Sequence, residues 1–230
     1  MLFVRKEIPD PSTDEELENL QISLAREVRK GEQFRNVAGV DVAYSKDGKW
    51  AYTAAVVLST TNWQVVHSQK AKLHVTRPYR SGTLSFREGP LVVEVLRRLA
   101  VVPDVILTDG NGTAHPRRFG LACYVGLTFD HPTVGVAKTW PRGCVKSKAT
   151  YALKRGAKLA LLAESGGDKL GYEVVTQDAT QPIYVSPGHR VSNEEAVNLA
   201  LRCAPWYKNP EPLRHADQLA NAFRAEDIGE

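Results

Sequence analysis

The chain has 230 residues, 43% apolar and 24% charged, a composition that suits a globular protein with a full core and excludes disordered or fibrous chains. Arg97, Arg98 and Asp104 interrupt the longest apolar stretch before it reaches the length of a membrane span, and the MLFVRKEIPD start is too charged for a secretory signal. The formal charge is only +4 but unevenly spread: no acid occurs from His131 to Ala163, where Lys138, Arg142, Lys146, Lys148, Lys154, Arg155 and Lys158 all fall. Such a segment is either a solvated face or a surface for a polyanion. Cys123, Cys144 and Cys203 are odd in number, widely spaced and outside any Cys/His cluster. That argues against a disulfide framework or a structural zinc, and for a reduced, cytoplasmic protein.

In chain order, Asp14 to Lys30 reads as an amphipathic helix, with Leu17, Leu20, Leu24 and Val28 near helical spacing and acids at its start. Extended runs follow at Asn36 to Tyr44, Lys49 to Leu58 and Trp63 to Val75, separated by turns at Lys46-Asp47-Gly48 and Thr60-Thr61-Asn62. Connections this short join only antiparallel neighbours. Beyond a glycine-containing loop the pattern changes. Leu91 to Leu99 reads as a helix, Val105 to Thr108 as a buried strand, Phe119 to Gly126 as a short helical or irregular piece, and Thr133 to Ala137 as another buried strand. That alternation implies parallel pairing. Strands are expected near Tyr172 to Thr176 and Ile183 to Val185, and helices at Asn193 to Cys203 and Leu213 to Ala225. The expected architecture is α/β: an antiparallel three-strand meander extended by parallel strands into a mixed sheet with flanking helices, residues 1–230 forming one domain.

Asp41 sits inside the strand VAGVDVAY and shares its face with Gly39 and Ala43. A carboxylate in mid-strand needs a cation, a metal or a raised pKa, so it belongs either to a buried salt bridge or to a site. Asp109 ends VILTDG at the C-terminal edge of a buried parallel strand, where ligand sites gather, and Gly110-Asn111-Gly112 lets backbone approach a ligand. Glu88 lies in SFREGP. Ser85 could form a capping box with it, but Pro90 would then fall inside the helix, so the helix is expected to start near Gly89 with Glu88 free at its mouth. Asp217 recurs with Leu213, Ala216 and Ala220 on an apolar helical stripe, although one residue of phase error would place it in solvent.

Separate acids on a mixed sheet fit a site for hard divalent cations, and phosphodiester hydrolysis is the matching chemistry. Lys138, ending PTVGVAK, faces the same edge as Asp109 and could neutralise charge at a scissile phosphate. His115, Arg117 and Arg118 in AHPRRFG are candidates for proton transfer and phosphate contact. No acid stands two residues before Lys138, which disfavours a PD-(D/E)xK core.

In order between Val37 and Asp217, the motifs GVDVAY, PYRSGTLSFREGP, DGNGTAHPRRFG, PTVGVAK, PIYVSPGH and EPLRHAD resemble the endonuclease V family, nucleases that act at deaminated purines. The resemblance implies a ribonuclease H-like fold and a Mg²⁺-dependent DNA-repair endonuclease, with Mn²⁺ able to substitute. Such an enzyme recognises deoxyinosine in DNA and hydrolyses the second phosphodiester on its 3′ side. By motif, Asp41, Glu88 and Asp109 resemble the metal-binding and catalytic carboxylates, Asp217 a fourth metal position, and Lys138 and His115 further catalytic positions. Tyr79 resembles the strand-separating wedge, while Gly82, Leu84, Gly110, Gly120 and Leu121 resemble the pocket for the extruded base, read through main-chain groups. Gly112, Arg117, Arg118 and His189 join the substrate-binding set, His189 from behind the site.

Arg80-Ser81 stands where many bacterial relatives have Ile-Pro, and animal relatives that favour inosine in RNA share the serine; Arg80 could grip phosphate or stack on a base. One alternative is therefore an inosine-specific endoribonuclease. Another is a non-catalytic reader of deaminated nucleic acid, which the intact carboxylates disfavour. The expected partner is nucleic acid, not a membrane, and the expected state is monomeric.

Overall fold

Helix α1 (Asp14–Ala25) begins with a capping box: the Thr13 hydroxyl accepts from the Glu16 N–H, and the Glu16 carboxylate accepts from the Thr13 N–H. The computed structural model describes residues 3–26, 34–145, 151–164 and 166–228, so the helix end expected at Lys30 lies outside the described residues. Strands β1 (Asn36–Tyr44), β2 (Trp50–Ser59) and β3 (Val65–His74) form the expected antiparallel meander. Then come α2 (Leu84–Leu96), β4 (Val105–Asp109), α3 (Leu121–Phe129) and β5 (Thr133–Ala137), with β4 parallel to β1 and β5 parallel to β4.

The second half departs from the expectation. Strands β6 (Cys144–Val145) and β7 (Lys158–Ala163) lie within the basic segment. With β8 (Lys169–Val174) and β9 (Ile183–His189) they extend the sheet antiparallel, in the order β3-β2-β1-β4-β5-β9-β8-β7-β6. The links from β7 to β8 and from β8 to β9 are too short for the crossovers that parallel pairing needs. Helices α4 (Asn193–Arg202) and α5 (Glu211–Ile228) follow, and no helix among the described residues is long and apolar enough to cross a membrane.

Helix α2 starts at Leu84 rather than near Gly89, with Pro90 inside it. The missing N–H and the ring clash cost about 3 kcal/mol. Phe86, Leu91, Val92, Val95 and Leu96 are all buried, and each such side chain contributes roughly 1.5–3 kcal/mol, so two or three outweigh the proline. Gly89 permits the close packing, since a Cβ there would overlap the ring of Tyr124 on α3. Glu88 therefore stands in the second turn of a helix, not at its mouth.

The strand alternation sorts residues onto two covered faces. Ala38, Val40 and Ile106 pack with Val92, Val95, Leu121 and Val125 of α2 and α3. Val37, Val105, Leu107, Val134 and Val136 pack on the other face with Val197 and Ala200 of α4 and Leu213 of α5. Asp41 faces α5 together with its neighbours: a Cβ on Gly39 would overlap the Pro212 backbone, and Ala43 packs with Ala220. The room that Gly39 and Ala43 leave beside Asp41 is thus where α5 lies. Helix α1 packs outside the α2–α3 layer, through Leu17 and Leu24 against Phe86, Phe119, Tyr124 and Leu127.

Candidate active site

Parallel pairing between β1 and β4 ends with Val40 opposite Thr108. Asp41 and Asp109 come next, at neighbouring positions on strands about 4.8 Å apart. Asp109 lies opposite Val136, and Lys138 follows two residues later on the same face, its Nζ 2.5 Å from Asp109 Oδ2. Helix α5 crosses that face and brings Asp217 into a small cleft with Asp109, Val136 and Lys138. Asp217 is exposed rather than part of the buried stripe formed by Leu213, Ala216 and Ala220, and its Oδ1 accepts from Asn221 at 3.1 Å. Glu88 arrives from α2, and its Oε1 accepts from the Tyr44 hydroxyl at 2.9 Å. Acids from β1, β4, α2 and α5 therefore gather at one edge of the sheet.

Their electrostatics are strained. Burial pushes Asp41 up to about 8, the charges of Asp109 and Asp217 add to it, and the Val42 N–H at 2.8 Å and Lys138 pull it back. Burial also raises Glu88 to about 7, with Asp109 adding and the Tyr44 bond opposing. The Tyr44 hydroxyl is itself raised, by burial and then by Glu88. Burial lowers Lys138, but its bond to Asp109 and the charges of Asp109, Asp41 and Asp217 outweigh that and hold it above the ordinary lysine value.

Burial and neighbouring charge disfavour the ionised forms of Asp41 and Glu88 despite Lys138, and the oxygen donors of the four acids suit a hard divalent cation. Among the described residues no three Asp, Glu, His or Cys groups form a ready metal cage. Each carboxylate is instead held by a partner of its own: Glu88 by Tyr44, Asp41 by the Val42 N–H, Asp109 by Lys138 and Asp217 by Asn221.

Beside Asp109 and Lys138 opens a cavity of about 320 Å³, lined by Gly82, Leu84, Gly110, His115, Gly120 and Leu121 with Tyr79, which is 69% exposed. That volume falls in the range of small-ligand sites. The wall also carries Asn111, whose Oδ1 is buried without a hydrogen-bond partner among the described residues, and Ser81, Trp140 and Arg142. The sequence reading passed over Asn111 and Tyr44 as site residues, although Asn111 is flanked by two loop glycines and Tyr44 closes the GVDVAY motif.

Several expected site residues have protein partners of their own. His115 is only 6% exposed; its Nε2 lies 3.1 Å from the Gly82 carbonyl and its Nδ1 accepts from the Arg117 N–H at 3.2 Å. Both ring nitrogens are engaged, and burial and then Arg117 push the ring down to about 4, which favours the neutral imidazole as a strut for the Gly82 loop over the proton-transfer role expected. Arg117 turns inward to the Gly82 carbonyl at 2.6 Å, Arg118 pairs with Asp168 at 3.3 Å, and Arg80 pairs with Asp14 and Glu18 of α1. The Gly112 N–H donates to Ser186 Oγ at 2.9 Å behind the pocket wall.

His189 lies at the opposite sheet edge, because β9 runs antiparallel to β5 and ends opposite Thr133. Its Nε2 is 2.9 Å from Asp130 Oδ1. In the basic segment, Lys146 and Lys148 lie outside the described residues. Arg155 donates to the Thr176, Leu201 and Ala204 carbonyls, and Lys158 pairs with Glu194 at 2.8 Å. Of the described cations in that segment, Lys138 and Arg142 line the cavity.

The Endonuclease V family model matches residues 18–218. The chain belongs to the endonuclease V family. It is 39% identical over 216 residues to the endonuclease V of Nostoc punctiforme, covering 92% of this chain and 96% of that relative. The crystal structure of the Streptomyces avermitilis endonuclease V superposes with a TM-score of 0.86 at 38% identity, covering 95% of this chain and 96% of that one. Endonuclease V of Ciona intestinalis, solved in complex with a 24mer DNA containing an inosine followed by a ribo-adenosine, is 28% identical with a TM-score of 0.82, over 93% of this chain and 99% of that one. The mixed sheet is thus the ribonuclease H-like sheet of endonuclease V, and the chain is a hydrolytic endonuclease.

Proposed function

We propose that this endonuclease V acts on deoxyinosine in DNA and hydrolyses the second phosphodiester on the 3′ side of the lesion, with Mg²⁺ or, in its place, Mn²⁺. The observation that carries this reading is one adjacency: a cavity walled by Gly82, Leu84, Gly110, Gly120 and Leu121 opens directly beside Asp109 and Lys138. A base taken out of the stack can be read there by main-chain donors and acceptors while its own strand runs past the acids. The inosine-containing DNA bound by the Ciona relative supports it.

Asp41, Asp109, Glu88 and Asp217 would hold the cation, which when bound supplies Lewis-acid activation of water and charge neutralisation at the phosphate. Lys138 offers an ammonium to the phosphate oxygens. Tyr44 fixes one oxygen of Glu88 and so orients the other carboxylate oxygen. Tyr79, exposed beside the cavity, would occupy the gap left by the base, and His115 keeps the Gly82 loop in place. The protein would work as a one-domain monomer in the cytoplasm.

Inosine in RNA is the second reading, and Ser81 favours it: its Oγ accepts from Arg142 at 2.7 Å in the cavity wall, a polar pair suited to a strand bearing 2′-hydroxyls. Matched strands carrying one deoxyinosine or one inosine, assayed with Mg²⁺, Mn²⁺ and EDTA, decide between them. Cutting of the DNA strand with Mg²⁺ and none in EDTA is expected. Cutting of the RNA strand alone favours the second reading, and cutting of neither overturns both. Asp41→Ala should abolish cleavage and retain lesion binding.

A further inference from the structure

Helix α1 packs outside the α2–α3 layer, and yet it buries a polar side chain completely. Gln21 is 0% exposed on the same helix as buried Leu17 and Leu24, a position where leucine would pack without any polar group to satisfy. Its amide is fully engaged. Nε2 lies 3.1 Å from Ser85 Oγ, 3.2 Å from the Phe119 carbonyl and 3.4 Å from the Gly82 carbonyl, while Oε1 accepts from Arg117 Nε at 2.5 Å.

Those partners sit on both sides of the cavity beside the acids. Gly82, Leu84 and Ser85 form one wall, and Gly120 and Leu121, just after Phe119, form the other. One buried amide therefore links the two walls. The Gly82 carbonyl receives three donors, from Gln21, from Arg117 Nη2 at 2.6 Å and from His115 Nε2 at 3.1 Å, although an oxygen has only two lone pairs. Such convergence leaves that peptide plane little freedom, at a glycine held at φ +84°. Around this point run ion pairs whose acidic partners are exposed, Arg80 with Asp14, Arg117 with Glu18 and Arg77 with Asp10, and water screens each of them. The buried amide is the tighter link, because polar groups in a low dielectric hold their geometry strongly.

We infer that Gln21 is a positioning residue for base discrimination: it sets the separation of the two cavity walls by tying the Gly82 and Phe119 carbonyls together. Its effect on specificity rests on the base-reading role proposed above, but the tie itself does not. Gln21→Met keeps the volume and removes every hydrogen bond. Gln21→Glu keeps an acceptor for Arg117 and removes the amide donors, and it serves also if the methionine variant fails to fold.

Two measurements test the inference. The first is amide hydrogen exchange over residues 82–86 and 119–122 in the free protein. The second is kcat and KM on strands with and without a single deoxyinosine. Both variants should exchange about tenfold faster in those segments, equivalent to about 1.4 kcal/mol of local stability. KM for the deoxyinosine strand should rise about tenfold and preference over the unmodified strand should narrow, with kcat within about twofold. Unchanged exchange, an unchanged KM in Gln21→Glu, or a fall in kcat at constant KM overturns the inference. A wild-type enzyme that does not prefer the deoxyinosine strand overturns the proposed function instead, and the exchange data still decide whether Gln21 holds the loop.

Discussion

Replacing Asp41 by asparagine should destroy cleavage and yet make the metal-free protein more stable at alkaline pH. An ordinary aspartate titrates near 3.8, whereas burial and then the charge of Asp109 push Asp41 up to about 8. Between those values the native state binds more protons than the unfolded chain, so stability is greatest below the lower value and is lost as pH rises toward the upper one. At 1.36 kcal/mol per pH unit the loss is at most about 5 kcal/mol at pH 8. Water reaching the open edge of the site relieves part of it, and asparagine, which still accepts from the Val42 N–H, should recover about 2–4 kcal/mol. For a chain of this size that is roughly 4–16 °C in Tm. Thermal melts of both proteins in EDTA at pH 5 and pH 8 measure it, with the advantage of the variant shrinking by more than half at the lower pH. Added Mg²⁺ should raise the wild-type Tm at pH 8 and leave the variant nearly unmoved. Equal melts at pH 8, or an advantage that does not depend on pH, would refute the placing of a strained carboxylate at this edge.

Other expectations follow from the same geometry. Lys138→Ala removes the ammonium at Asp109 and should lower single-turnover cleavage by about a hundredfold or more, with little loss of Tm. In an NMR titration the His115 ring, pushed down to about 4 by burial, should show no protonation step above pH 5; a midpoint near 6.5 would restore it as a proton-transfer candidate. Gly39→Ala places a methyl into the Pro212 backbone and should destabilise the protein by about 2 kcal/mol or more, reducing cleavage as α5 and Asp217 shift, by urea unfolding and activity together. Arg155→Ala, which frees the Leu201 and Ala204 carbonyls at the end of α4, should cost about 1–3 kcal/mol of stability at nearly unchanged nucleic-acid affinity. Arg142→Ala should do the reverse.

The basic segment shows where sequence reading stops. Seven cations without an acid look like one surface, but Arg155, though exposed, donates to the last carbonyls of a helix that lies far along the chain, and Lys158 answers Glu194. Arg80 and Arg117 follow the same logic, since both are claimed by α1 before any substrate arrives. Pro90 misled the reading of α2 for a related reason: local backbone preference argued against a helix there, and the buried face outweighed it. His189 lies away from Asp109 and Lys138: a motif does not state strand direction, and an antiparallel β9 carries its C-terminal residue to the opposite edge.

What the sequence by itself determined is the family and the mixed sheet, and it marked the candidate carboxylates and lysine, because those depend on residue type, alternation and order along the chain. Asp41 was legible within VAGVDVAY since no core tolerates a mid-strand carboxylate without a reason. Tertiary structure alone decided which charged groups meet. The parallel register brings Asp41 next to Asp109, α5 closes over Gly39 to bring in Asp217, and the Gln21 amide joins two loops separated by dozens of residues. Such pairings depend on distances in space, which residue type and spacing do not encode, and it is those distances that turn scattered acids into a site.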